Sequence, residues 1–148
     1  MQKSRLIEIL RTFPKKELRA LKKWFVSPFH NQRKDVVDLL EYLTSNQHLN
    51  REEFLEKERI FKVLYPSEPF DDSKMRQVIH FTMKTLESYL AYTSFIEKGT
   101  SQELYLAREY RIRNLTRQFE KSTKAIDCLL YTSPSPRDAT LPRMPSSA

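Results

Sequence analysis

A row of four cationic side chains in residues 15–26 is the group whose types and spacing best suit chemistry. The row consists of Lys15, Arg19, Lys22 and Lys23. Intervals of four, three and one residue place these cations on one side of a helix. Such a row suits the binding of phosphate groups or of an acidic partner. The alternative, which we favour, is the solvated face of an amphipathic helix.

Trp24 lies next to this row in the sequence. An indole ring beside cations is able to stack on a nucleic-acid base. A single tryptophan in an amphipathic helix more often belongs to the core, and we expect that here. A second basic row near the C-terminus has the same two interpretations, and it consists of Arg113, Arg117, Lys121 and Lys124.

The remaining candidates for chemistry do not form a site in the sequence. The histidines, His30, His48 and His80, lie far apart, and no His-x-x-x-His pair occurs, so we predict no metal site. His80 falls inside a long helical pattern, where we expect a core or boundary residue. Ser27 and His30 form a nucleophile–base pair by type, but no Gly-rich turn supplies oxyanion donors.

Two pairs of adjacent carboxylates, Asp71-Asp72 and Glu52-Glu53, are candidates for acid–base catalysis. Both stand where we predict a helix to begin, and carboxylates there satisfy free backbone N–H groups and favour the helix dipole. We therefore predict no catalytic residue, no metal site and no cofactor, and no enzymatic activity within these residues.

The residues are positioned by a predicted all-α fold of six helices, of which the longest covers residues 71–97. That segment contains neither Pro nor Gly. Its apolar stripe is broad enough to predict helical neighbours on two sides. The stripe comprises Met75, Ile79, Met83, Leu86 and Leu90, widened by Val78, Phe81, Tyr89 and Tyr92.

Five shorter helical patterns surround the long one. They cover residues 4–11, 15–26, 35–45, 50–65 and 101–127. Asn50 with Glu53, and Thr100 with Glu103, predict capping boxes. Gly99 predicts a left-handed cap and a tight antiparallel hairpin. Hairpins of this kind predict a solenoid-like helical array. The last helix is expected to present Leu104, Ala107, Leu115, Phe119 and Ile126 to its neighbour.

Composition excludes several classes of protein. One glycine in 148 residues disfavours Gly-rich phosphate loops and dinucleotide fingerprints. No apolar run approaches the roughly 18 residues of a membrane span, so we predict a cytoplasmic protein without a membrane partner. Residues 1–40 hold ten Lys/Arg against four Asp/Glu, whereas residues 41–72 hold four against eight. The basic row therefore lies in a strongly cationic first third of the chain.

The C-terminal residues resemble a translated nucleotide sequence. Residues 128–138 read CLLYTSPSPRD and residues 143–148 read RMPSSA. Both resemble the conceptual translation of a transposase-type sequencing-library adapter. This resemblance implies that residues 128–148 are not native, and that residues 1–127 are the truncated helical domain of a longer protein. It also removes Cys128, the one cysteine. The alternative is a disordered tail rich in Pro and Ser.

Short segments along residues 1–127 resemble a protein family. They are Ser4-Arg5-Leu6-Ile7, Phe13, Lys16-Glu17-Leu18, Ser27-Pro28-Phe29, Asn31, Arg33, Asp35, Phe61, Leu64, Tyr65-Pro66, Glu68-Pro69-Phe70-Asp71-Asp72 and Lys74-Met75-Arg76. In this order they resemble the N-terminal region of a group of uncharacterised bacterial all-helical proteins that are longer than this chain. The resemblance implies a helical fold, but it implies no activity and no site residues.

These observations favour a non-enzymatic helical interaction or scaffold module with a protein partner. The alternative is a nucleic-acid-binding module that uses Lys15, Arg19, Lys22 and Lys23. A salt titration distinguishes the two, because binding to phosphates weakens steeply as salt is added.

Overall fold

The computed structural model describes residues 1 and 3–132, and within them it contains seven α-helices and no strand. The helices are α1 (Arg5–Leu10), α2 (Lys15–Val26), α3 (Lys34–Thr44), α4 (Lys57–Leu64), α5 (Asp72–Glu97), α6 (Gly99–Ile112) and α7 (Thr116–Thr132). Two short 3-10 helices, His48–Asn50 and Glu52–Leu55, precede α4. The predicted all-α class is confirmed.

The chain divides into two compact units, Met1–Ala91 and Tyr92–Ala148, with the division inside α5. The sequence had predicted one helical domain over residues 1–127. The predicted boundary after residue 127 falls within α7, which continues to Thr132. Residues 133–148, and with them most of the predicted disordered tail, lie outside the described residues.

The core of the first unit forms where the apolar stripes of its helices meet. The apolar residues that recur at helical spacing in α3, Val36, Leu39, Leu40 and Leu43, are fully buried. Leu21 and Phe25 of α2 pack against them in the same cluster. In α1 the fully buried residues are Leu6, Ile7 and Leu10, while Ile9 is only partly buried. Trp24 also packs against this core, as expected.

Within the first unit, α5 buries one face rather than two. The buried positions are Met75, Val78, Thr82, Leu86 and Tyr89, at intervals of three or four residues. Phe81, which had widened the predicted stripe, is 37% exposed. The prediction of neighbours on two sides therefore does not hold for Phe81, and its ring remains on the surface.

The helix predicted to open at Asn50 begins later, at Lys57. The preceding residues pack around His48, which is 8% exposed and stacks on Phe54 with ring centroids 4.4 Å apart. The His48 Nδ1 atom lies 2.6 Å from the carbonyl oxygen of Tyr42. Asn46 and Gln47, which precede His48 in the chain, have positive φ angles of 47° and 60°. This tertiary packing, rather than a capping box, shapes the segment.

Asp71 is the N-cap of α5, as its position in the sequence predicted. Its Oδ1 accepts hydrogen bonds from the backbone N–H groups of Ser73 (2.9 Å) and Lys74 (3.2 Å). These are two of the four N–H groups that a helix start leaves without intrahelical partners. Asp72, the first residue of the helix, instead bonds Lys57 Nζ at 3.1 Å. The Asp71-Asp72 pair therefore stabilises a helix start.

Replacing Asp71 by alanine is expected to lower the free energy of unfolding of the first unit by about 1 kcal/mol, because the cap is lost. Asp71→Asn is the matched control, since asparagine caps as well as aspartate does. Urea unfolding followed by the fluorescence of Trp24, the single tryptophan, measures both variants. Equal losses in the two variants would contradict a role for the cap.

The second unit contains a helical hairpin formed by α6 and α7. Asn114 adopts a left-handed conformation (φ 58°) between them. The N–H of Leu115 donates to the carbonyl of Tyr110, and that of Asn114 donates to the carbonyl of Arg111. This is the Schellman pattern of helix termination. The single helix predicted over residues 101–127 is therefore two helices.

The structure also corrects the predictions of caps around Gly99. This residue has no positive φ and is the first residue of α6, so it forms no left-handed cap. The N-cap is Lys98, without a side-chain hydrogen bond, so Thr100 and Glu103 form no capping box. Ala107 and Ile126 are buried as expected, but Leu104 is 53% exposed. The solenoid-like array remains a prediction.

Candidate interaction surface

The basic row of α2 lies on the surface, opposite the buried Leu21 and Phe25. Lys15, Arg19 and Lys23 are exposed. Lys22 is partly buried, and its Nζ lies 3.5 Å from a carboxylate oxygen of Glu41 on α3. Among the described residues, no carboxylate lies within ion-pair distance of the other three cations. Three cations of the row therefore form no ion pair among the described residues.

The segment that follows α2, residues 27–33, is held in place by Asn31. Its Nδ2 donates to the carbonyl oxygens of Phe25 (2.9 Å) and Arg33 (3.0 Å). Its Oδ1 accepts from the backbone N–H of Arg33 at 3.0 Å. One side chain therefore ties both ends of the segment together, and we call residues 27–33 the α2–α3 loop.

The end of this loop is joined to α4 through Asp35. The Asp35 carboxylate accepts from Nε and Nη2 of Arg33, at 3.1 and 2.7 Å, and from the Tyr65 hydroxyl at 2.6 Å. The hydrogen bond from Arg33 lowers the pKa of Asp35 below its usual value. Burial, together with the hydrogen bond to Asp35, raises the pKa of Tyr65. The contact joins residues 30 positions apart in the sequence.

Phe29, at the tip of the α2–α3 loop, is 91% exposed. Its ring makes an edge contact with the ring of His30, with centroids 5.4 Å apart. The His30 ring in turn stacks on Trp24, with centroids 3.4 Å apart and an interplanar angle of 6°. A chain of rings thus leads from the edge of the core to an exposed phenylalanine.

An open groove of about 340 Å³ lies between the α2–α3 loop and α5. The loop contributes residues 30–33, and α5 contributes Phe81, Lys84, Thr85 and Ser88. The guanidinium carbon of Arg33 lies 4.5 Å from the centre of the Phe81 ring, a cation–π contact. We call Phe29 together with these groove residues the Phe29 surface.

None of the four cations of the α2 row lines this groove. The Phe29 surface was not predicted as a site, although Phe29 offered one signal. It is an aromatic residue in a turn, between Pro28 and His30, and it lies outside the helical patterns predicted for residues 15–26 and 35–45. Phe81 gave no signal, because its place in the helical pattern suited a buried face.

The residues considered for catalysis do not come together. The contact between Ser27 and His30 is a backbone hydrogen bond, and the His30 ring stacks on Trp24. His48 is buried, whereas His80 is exposed, which corrects the expectation of a core or boundary position. In the part of the chain that the structure describes, no group of three His, Cys, Asp or Glu side chains is arranged to hold a metal ion.

The second basic row lies on exposed positions of the α6–α7 hairpin. Arg117, Lys121 and Lys124 are exposed, while Arg113 pairs with Glu109 one turn earlier. Among the described helices, none combines the length with the hydropathy that a bilayer span requires.

Comparisons of the chain with protein-family models, with curated proteins and with solved structures find no significant match.

Proposed function

We propose that the chain is a non-enzymatic helical interaction module that binds a protein partner at the Phe29 surface. The observation that carries this proposal is a phenylalanine 91% exposed on a loop that is fixed by hydrogen bonds. Covering an exposed phenylalanine contributes roughly 1.5–3 kcal/mol. Because the loop is already ordered, little of that gain is spent on ordering it when a partner binds.

The surroundings of Phe29 support the same proposal. Binding energy at protein interfaces concentrates in a few aromatic and arginine residues. Here Phe29 contacts His30, and His30 lines the groove together with Arg33 and Phe81. The Arg33–Asp35–Tyr65 contacts keep this surface in one conformation.

Replacing Phe29 by alanine is expected to weaken peptide binding about 30-fold, the loss typical of an interface hot spot. The ligands are peptides selected from a random phage-displayed library on the full chain, and fluorescence anisotropy measures their affinity. The fold should be unaffected, since the side chain is almost fully exposed.

The matched control is Val63→Ala. Val63 lies in the same unit, is 57% exposed and borders a different groove, so its removal should change affinity less than three-fold, roughly 0.6 kcal/mol. Selected peptides that bind the Phe29→Ala variant as tightly as the wild type would refute the proposal. A selection that enriches no peptide would refute it as well.

Nucleic-acid binding by the α2 row is the second candidate function. It is favoured by the three exposed cations, Lys15, Arg19 and Lys23, that lack ion pairs among the described residues. Lys22 contributes less because it pairs with Glu41. This function does not depend on the Phe29 surface.

If these three cations bind phosphates, affinity for a duplex oligonucleotide should fall about 40-fold between 50 and 200 mM salt, since each contact contributes a slope of about −0.9. The double variant Arg19→Glu, Lys23→Glu should abolish binding, whereas Lys62→Glu, on α4, should have a smaller effect. Affinity that survives the double variant would remove this candidate.

A further inference from the structure

We infer that the partner segment bound at the Phe29 surface is acidic, with carboxylates flanking an apolar side chain. This inference rests on the proposed function and adds the chemistry of the ligand. It follows from the charges that line the groove, from the donors that Arg33 leaves unused, and from the hydroxyl groups of α5.

The groove carries positive charge and no negative charge of its own. None of its lining residues in the described chain is acidic. Of its two cations, Arg33 is paired with Asp35, whereas Lys84 has no ion pair among the described residues. Asp35 is the carboxylate that contacts Arg33, and it is already hydrogen-bonded to both Arg33 and Tyr65. A second groove of the same unit is lined by Asp38 and Glu41, so the two grooves differ in the charge of their lining residues.

Arg33 retains hydrogen-bonding capacity for a ligand. A guanidinium has five N–H donors, and Asp35 engages one on Nε and one on Nη2. The guanidinium also interacts with the Tyr65 hydroxyl, so at least two donors remain, and the side chain is 34% exposed. The cation–π contact with Phe81 and the two bonds to Asp35 hold the group in position. A carboxylate is the natural acceptor for such donors, because charge-assisted bonds to a guanidinium are strong.

The hydroxyl groups of α5 favour a peptide over a nucleic acid. The Thr85 hydroxyl donates to the carbonyl of Phe81 at 2.9 Å, and the Ser88 hydroxyl donates to the carbonyl of Lys84 at 3.0 Å. Each hydroxyl has a single proton, and that proton is already donated within the helix. Both oxygens can therefore act toward a ligand only as hydrogen-bond acceptors. A peptide backbone provides N–H donors for them, whereas the sugar–phosphate backbone of DNA provides none.

The peptides selected for Phe29-dependent binding test this inference. Their mean net charge should be more negative than that of the unselected library. Each peptide is also synthesised with Asp and Glu replaced by Asn and Gln, which should weaken binding at least ten-fold. Lys84→Gln should weaken binding of the acidic form three-fold or more and leave the amide form unchanged, while the control Lys62→Gln should change neither.

Two results would overturn the inference while the proposed function stands. One is Phe29-dependent peptides that bind equally well as amides. The other is displacement of the peptide by a 12-residue oligothymidylate through Lys84, which would assign the groove to phosphate groups. Binding that does not depend on Phe29 would instead refute the proposed function itself.

Discussion

Replacing Phe25 by alanine is expected to lower the free energy of unfolding of the first unit by about 3–5 kcal/mol, the cost of removing a buried phenylalanine from a packed core. Phe25 has no exposed surface and is among the largest fully buried side chains. The residues around it come from helices that are fixed by their own buried stripes, so the site has little freedom to collapse.

Phe25 also connects the core to the candidate site, since its carbonyl oxygen accepts a hydrogen bond from Asn31 in the α2–α3 loop. Urea unfolding followed by Trp24 fluorescence reports on this unit, because Trp24 packs against the same core. Phe25→Leu is the matched control and should lose less, since it leaves a smaller cavity. A loss below about 1 kcal/mol for Phe25→Ala would contradict the packing described here.

Replacing Asp35 by alanine is expected to cost about 2–3 kcal/mol at pH 7. The change removes the acceptor of the hydrogen bonds from Arg33 and Tyr65, and bonds to charged groups are worth more than neutral ones. It should also speed amide hydrogen exchange in residues 27–33, because the loop loses its link to α4. Tyr65→Phe, which leaves the Arg33–Asp35 pair in place, should cost only about 1 kcal/mol.

The contribution of Asp35 should depend on pH in a defined direction. Its pKa in the folded protein is lowered by the hydrogen bond from Arg33, so the folded state binds the proton more weakly than the unfolded chain does. The stabilisation is therefore complete above the unfolded pKa of about 4 and is lost as the pH falls through the folded pKa.

The difference in unfolding free energy between the wild type and Asp35→Asn should accordingly be largest at pH 7 and shrink below about pH 4. Urea unfolding at pH 7, 5, 4 and 3 measures it. Other carboxylates, such as Asp72, whose pKa is lowered by its hydrogen bond to Lys57, titrate in both proteins. Their contribution therefore cancels when the two free energies are subtracted. A difference that stays constant down to pH 3 would contradict the proposed pairing.

The candidate site was much less predictable than the fold. The sequence indicated the cations of the α2 row, and the structure places three of them on the surface. The Phe29 surface instead depends on contacts between distant residues: Asp35 with Tyr65, and loop residues with Phe81 and Lys84 of α5. Nothing in the spacing of these residues indicates that they meet.

By itself the sequence determined the helical class, the bounds of α2 and the buried face of α3, because each depends on side chains three or four residues apart on one helix. Only the tertiary structure decided that Phe81 stays on the surface, that His48 is enclosed, and that a Schellman turn at Asn114 separates α6 from α7. The physical reason is the separation along the chain of the residues that interact. Helical periodicity is a local property, whereas which face is covered depends on long-range packing that local patterns do not encode.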